Sequence, residues 1–370
     1  MDIVSQNFAK DLQSQIQEKF DCIFLLLDSN TEKYCLPKIL QNAPYLADCQ
    51  QIIISDGEEN KTLQTIEQIW NFLSTNGATR QSLLLNIGGG MVCDLGGFAA
   101  ATFKRGINFI NIPTTLLAAV DAATGGKTGF NFLGLKNEIG VFAQPQAVII
   151  NTSLFSTLNS RNLYSGFAEM LKYGYINSEN LLNETFKFIN TNAVLLSHCG
   201  LDQQSQKYKN EIAGQACNDR DRTFVNLIRK NLEIKQYFLE IDHFDKKERK
   251  ALNFGHTFGH SFEAFSHQTD CPILHGEAVA WGMVCELFLS HILLNFNKIE
   301  VVKLYSFVKE NYPKPAFCCN DLEQIYELMQ HDKKNSANRI NFTLLSEIGS
   351  VKINQTATKE QIFECLEFLC

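Results

Sequence analysis

Between residues 22 and 150 the chain repeats one pattern, a short apolar run followed by a longer amphipathic stretch. The runs at 22–27, 51–55, 82–87, 109–112 and 147–150 have the length of strands, and helical spacing at 32–41, 63–74 and 91–103 separates them. Strands that alternate with helices are joined by crossovers, and a sheet built from crossovers is parallel. Past Leu158 the pattern turns almost wholly helical, at 163–175, 203–233, 274–294 and 301–311, with an extended stretch at 339–345 and a last helix from Lys359. The sequence therefore predicts an N-terminal Rossmann-like α/β domain with a parallel sheet over 1–158 and a mostly α-helical C-terminal domain over 159–370. A length of 370 residues agrees, because it exceeds what one hydrophobic core usually organises.

Composition narrows the class of partner. With 45% hydrophobic and 20% charged residues the chain reads as an ordinary globular protein. A formal charge of −7 argues against nucleic acid as the main ligand and leaves room for a local basic pocket. The 12 cysteines are scattered without a CxxC pair, so free thiols in a reducing, cytoplasmic compartment are expected. The first 17 residues are too polar for a signal peptide. The longest apolar run, 278–294, is interrupted by Glu286 and His291 and reads as a buried core helix, so no membrane partner is expected.

In the helical half, Arg249, Asn253, His256 and His260 are spaced four, three and four apart, which in one continuous helix puts them on a single face. Leu252, Phe254, Phe258 and Phe262 would press that helix into a core, where a guanidinium, an amide and two imidazoles are costly without partners. Two neutral imidazoles suit a divalent transition metal, and catalytic zinc usually takes three protein ligands and keeps one position open. His275 and Glu277 follow the stripe, and the segment 165–172 supplies Glu169 and Lys172 one turn apart among apolar neighbours.

Gly88, Gly89 and Gly90 follow a predicted strand and precede a predicted helix, which offers backbone amides and a helix dipole to a pyrophosphate. Cys93 stands where the usual dinucleotide fingerprint has its third glycine. Arg105, Lys127, Lys172, Lys235 and Arg249 could serve a substrate bearing phosphate and carboxylate, and Lys127 sits among Gly125, Gly126 and Gly129, where backbone can approach a ligand.

These blocks, with Asp94, Gly96, Gly97 and Phe98, the run from Pro113 to Leu116, Lys136 and Asn137, and Ala168, resemble the 3-dehydroquinate synthases in composition and order. Thr124 and Phe130 depart from that pattern at positions without chemistry. The resemblance implies NAD bound by Asp28, Asn30, Glu58, Lys61, Gly89, Gly90, Asp94, Thr114, Thr115 and Lys136, and zinc or cobalt held by Glu169, His256 and His275. It implies substrate contacts from Arg105, Asp121, Lys127, Asn137, Lys235, Arg249, Asn253 and Lys334, with Lys333 the alternative to the last. Lys172 and His260 take catalytic roles, with Asp245 offered as the partner of His260. Arg105 is expected to reach the neighbouring subunit's site in a homodimer.

The reaction so implied is that of the shikimate pathway of aromatic amino acid biosynthesis, in which 3-deoxy-D-arabino-heptulosonate 7-phosphate becomes 3-dehydroquinate and phosphate. NAD transiently oxidises the C5 hydroxyl, phosphate leaves by β-elimination, the ketone is reduced again and an aldol closure forms the ring. Two alternatives share the main features: another sugar phosphate cyclase of the superfamily, and a metal-dependent polyol dehydrogenase that would release NADH.

Overall fold

The computed structural model describes residues 2–16, 20–133, 135–197, 215–330 and 340–370. The chain forms two compact units, Met1–Leu163 with Ser197–Leu232, and Tyr164–Leu196 with Glu233–Cys370. The predicted single break at 158 is thus replaced by three crossings. The helices Ser160–Asn177 and Gln215–Ile241 run through their crossing points without interruption, so local periodicity carries no mark of the change.

In the first unit, β1 (Asp2–Val4), β2 (Ile23–Asp28), β3 (Gln50–Ile54), β4 (Leu83–Gly88), β5 (Asn108–Pro113) and β8 (Ala147–Ile150) form a sheet. The strand order is β1-β8-β5-β4-β2-β3, with every pairing parallel. Strand β4 is buried along its whole length, as a strand covered on both faces must be. Its side chains divide by parity. Leu83, Leu85 and Ile87 join Leu25 and Leu27 in one core, while Leu84 joins Phe24, Leu26 and Phe109 in the other. The chain winds outward from β2 to β3 on one side and through β4 and β5 on the other, so strand order reverses between β2 and β4. Ligands of open parallel sheets bind outside the carboxyl ends of the strands at such a reversal. There stand Asp28, which ends β2, and Gly88, which ends β4.

A buried asparagine pair ties a loop to this sheet: Asn86 Nδ2 donates to Asn111 Oδ1 at 2.9 Å, and Asn111 Nδ2 donates to Ala123 O at 2.9 Å. That loop contains a single π-helical turn, Ala118–Ala122, which carries Asp121. An antiparallel hairpin of β6 (Lys127–Phe132) and β7 (Leu135–Phe142) follows.

The second unit is built from helices, with one antiparallel hairpin of β9 (Phe342–Glu347) and β10 (Ser350–Gln355). Its central helix, His275–Leu294, is long and apolar enough by composition to cross a membrane, yet 72% of its most apolar window is buried inside the protein. It is a core helix. Against it packs the helix His256–Ser266, so closely that a Cβ on Gly282 would run into Gly255 O.

The stripe from Arg249 to His260 does not lie on one helix. A 3-10 helix, Glu248–Asn253, ends at Phe254, Gly255 takes φ +80°, and a new α-helix starts at His256. The left-handed glycine breaks the periodicity that the spacing alone carried across it.

Candidate active site

Glu169 lies in the helix Ser160–Asn177 with 0% of its side chain exposed, and Lys172, one turn later, is 1% exposed. Their charges meet at 2.5 Å, Lys172 Nζ to Glu169 Oε2. The other carboxylate oxygen faces two imidazoles: His256 Nε2 and His275 Nε2 each stand 3.5 Å from Glu169 Oε1. One donor atom from each of these three residues lies within 4.8 Å of the others. A tetrahedral ion with bonds of about 2.1 Å sets neighbouring ligand atoms about 3.4 Å apart, so both carboxylate–imidazole separations already match such an ion.

The far nitrogens are held as well. His256 Nδ1 is 3.0 Å from Phe254 O, and His275 Nδ1 is 3.1 Å from Glu263 Oε2. With Nδ1–H donated to oxygen, Nε2 of each ring faces Glu169 and is the nitrogen that would ligate an ion once deprotonated, the arrangement by which metal-binding histidines are oriented. Burial alone would lower the pKa of His275, but Glu263 and Glu169 offset it and hold the imidazole up at about 9. A divalent ion held there would take the place of a proton. The His260 ring completes the group, 5.4 Å from that of His256 and 5.9 Å from that of His275.

The stretch before His256 is organised by Asp242, whose carboxylate accepts from the backbone N–H of Lys246 at 3.0 Å, Lys247 at 2.6 Å and Arg249 at 3.2 Å. Burial pushes this carboxyl up, and the three N–H groups push it further down, to below the usual range. The turn so formed contains Asp245 at φ +58° and leads to Arg249, whose Nη1 donates to His243 O at 2.7 Å. Lys235 and Arg249 are both buried in this unit, and Asn253 ends the 3-10 helix.

The first unit holds the expected dinucleotide residues. Gly89 is the N-cap of the helix Gly90–Thr102, and Thr114 N donates to Gly88 O at 2.9 Å, which sets the glycine turn beside Thr114 and Thr115. Asp28 caps the helix Ser29–Tyr34 by accepting from Thr31 N at 2.7 Å, and Asn30 Nδ2 donates to Asp56 Oδ2 at 2.7 Å. Buried Lys61 donates to Asp94 Oδ2 at 2.6 Å and to Asn137 Oδ1 at 2.5 Å. Burial raises the Asp94 carboxyl against the pull of Lys61. Glu58 accepts from Asn131 Nδ2 at 3.0 Å and lies 3.9 Å from Lys136 Nζ. Asn137, expected to serve the substrate, thus sits with the Lys61–Asp94 pair. Lys127 opens β6 at the surface, and Arg105 is exposed at φ +68°. Lys333 and Lys334 lie outside the described residues.

Sequence reasoning passed over Glu263 and Asp242. Glu263 continues the His256–His260 stripe by three residues, so the same spacing argument reaches it. Asp242 acts on backbone amides four to seven residues away and leaves no periodic signal.

A doubly wound parallel sheet with a glycine turn at its strand reversal in one unit, and a carboxylate with two imidazoles at metal-ligand spacing in the other, define the class: a two-unit α/β protein with a candidate metal site. That fold is shared with the 2-epi-5-epi-valiolone synthase of Streptomyces hygroscopicus, whose structure has NAD+ and Zn2+ bound, at TM-score 0.80 and 21% identity over 100% of this chain and 96% of that one. A 2-deoxy-scyllo-inosose synthase, solved with carbaglucose-6-phosphate, NAD+ and Co2+, aligns at TM-score 0.79 and 22% identity over 99% of this chain and 96% of that one. Residues 51–165 match the 3-dehydroquinate synthase N-terminal family and residues 166–335 the 3-dehydroquinate synthase C-terminal family. The 3-dehydroquinate synthase of Parabacteroides distasonis is 45% identical over 97% of this chain and 96% of its own length. The chain belongs to the 3-dehydroquinate synthase family.

Proposed function

We propose that this chain carries out its family's reaction, the conversion of 3-deoxy-D-arabino-heptulosonate 7-phosphate to 3-dehydroquinate and phosphate, as a carbon–oxygen lyase dependent on NAD and a divalent metal. The observation that carries the proposal is the Glu169–His256–His275 group with the Lys172 ammonium 2.5 Å from its carboxylate. Zinc or cobalt held there supplies Lewis acidity, and NAD held by Gly89, Gly90, Asp94 and Lys61 supplies reversible hydride transfer. Lys172 places a buried positive charge where negative charge develops on the substrate, the kind of fixed electrostatic stabilisation that needs no reorganisation. His260 moves the proton of the C5 hydroxyl, since an imidazole exchanges protons near neutral pH, and Asp245 supports it. Arg105, Asp121, Lys127, Asn137, Lys235, Arg249, Asn253 and Lys334 bind the hydroxyl, carboxylate and phosphate groups.

A cytoplasmic homodimer, with Arg105 serving the partner's site, belongs to the same reading. It is supported by the hairpin of β6 and β7, where Phe132, Leu135, Ile139, Val141 and Phe142 are exposed apolar side chains. Surfaces of that kind commonly mark association. The test is to follow phosphate release and NADH absorbance together with this substrate, zinc and catalytic NAD. Stoichiometric phosphate without net NADH is expected. Phosphate only from sedoheptulose 7-phosphate, or NADH accumulating without phosphate, overturns the proposal.

A further inference from the structure

Both imidazoles of the metal group are first residues of helices, His256 of His256–Ser266 and His275 of His275–Leu294. The aligned peptides of a helix place roughly half a positive charge at its N-terminus, a field that favours anions and opposes a cation. Two such ends beside one divalent ion work against binding.

Each end carries a buried carboxylate outside the ligand set. In the His275 helix it is local: Glu277, at the third position, accepts from Leu274 N at 2.7 Å. In the His256 helix it comes from another helix. The N-cap is Gly255, which has no side chain to cap with, and its N–H donates to Glu286 Oε2 at 2.8 Å. Thr257 N donates to Glu286 Oε1 at 3.0 Å. Glu286 is 0% exposed, in the middle of an apolar helix that is mostly buried. A charge in that position requires compensation for its desolvation. Its two oxygens hold the peptides on either side of His256, so they constrain the backbone from which the ligand projects.

We propose that Glu286 is a positioning residue of the metal site: it fixes the first turn of the His256 helix and offsets the positive end of that helix, so that a divalent ion can bind His256. The inference rests on the metal site of the proposed function. Glu286 acts through the backbone on either side of His256, and its effect appears in metal affinity and in the ligand field.

The test uses the full chain and the variant Glu286→Gln, which keeps the size of the side chain and removes its charge. Cobalt affinity is measured by competition with a chromophoric chelator, the visible d–d band of bound cobalt is recorded, and NAD affinity is measured on the same samples. The expected result is a cobalt dissociation constant raised about 10- to 100-fold, the usual cost of disturbing a group behind a metal ligand, with a shifted d–d band and unchanged NAD affinity. Saturating cobalt should then restore turnover. A cobalt affinity changed less than threefold, with an unchanged band, overturns the proposal, and so does parallel loss of cobalt and NAD binding. Wild-type protein that fails to bind cobalt overturns the metal reading itself. If Glu286→Gln does not fold, Glu286→Asp carries the test, because its shorter side chain cannot reach both N–H groups: weakened cobalt affinity supports the proposal and wild-type affinity overturns it.

Discussion

Replacing Lys172 by Met separates what the ammonium does for stability from what it does for the reaction. The side chain is 1% exposed and sits 2.5 Å from a carboxylate that is wholly buried. Removing one partner of a buried pair costs about 3–5 kcal/mol when nothing else compensates the charge left behind, and here the His275 imidazole 3.5 Å from Glu169 Oε1 offsets part of it. For a folding unit of this size each kcal/mol moves the melting temperature by roughly 2–4 °C, so Lys172→Met should melt lower in the presence of a chelator, by at most about 6–20 °C. Zinc reverses much of this. A divalent ion beside Glu169 restores the positive charge that the variant lacks, so the zinc-induced rise in melting temperature should be larger in Lys172→Met than in the wild type. Calorimetry of both proteins, in EDTA and in zinc, reads both quantities. Turnover should stay low even with zinc bound, by about 10²–10³-fold if the ammonium stabilises developing charge. Equal melting in EDTA, or an equal rise with zinc, refutes the reasoning.

Glu169→Gln and His275→Ala should each lose bound metal and turnover while keeping the wild-type far-ultraviolet circular dichroism, checked by elemental analysis and phosphate release. Metal retained at full stoichiometry in either variant counts against the ligand set. Asp242→Asn tests the turn that carries Asp245 and Arg249. The Asp242 carboxyl is depressed in the folded protein, so its contribution is present above the unfolded-state value of about 3.9 and lost as the pH falls through the folded value. The variant should be less stable by about 1–2 kcal/mol in urea at pH 7, with the gap narrowing as the pH falls below about 4, and a gap independent of pH would count against the assignment. For Arg105, mixing inactive Arg105→Ala and Lys172→Met chains should restore about a quarter of wild-type activity, because half of randomly exchanged dimers hold one intact site. No restoration means that the residue serves its own chain.

The parallel sheet was legible because its strands are short, buried on both faces and flanked by amphipathic helices, which leaves a clear change of period. Strand β1 was not, since three residues carry no periodicity. The hairpin of β6 and β7 was missed because β7 is exposed along nearly its whole length and shows no alternation. The single helix expected at 32–41 is two, Ser29–Tyr34 and Leu36–Asn42, and Pro37 falls in the first turn of the second, where proline is tolerated. At the site, the polar stripe was visible as spacing and its break at Gly255 was not, because a left-handed glycine changes direction without changing the count. Glu286 was visible only as an interruption of an apolar run. Its two partners lie 29 and 31 residues away in sequence, beyond any local pattern.

The break at Gly255 sets the backbone from which His256 projects. In one continuous helix His256 would lie in mid-helix, with its N–H groups already spent on the turn before it. Starting a helix at His256 frees those donors for Glu286, and starting another at His275 gives Glu277 the same place, so both imidazoles project from clamped first turns. Glu263 and Phe254 O then hold the ring nitrogens, and Glu169 already stands at tetrahedral spacing from both. Small zinc domains unfold without their ion because the ion is most of their core. Here Phe254, Phe258, Phe262 and Trp281 are buried, so this unit has an apolar core of its own. The cost of burying Glu169, Lys172, Glu263 and Glu286 falls on the stability of the apolar core. A unit selected for stability alone would fill those positions with hydrocarbon; one that holds a metal keeps the charges and fixes them with hydrogen bonds.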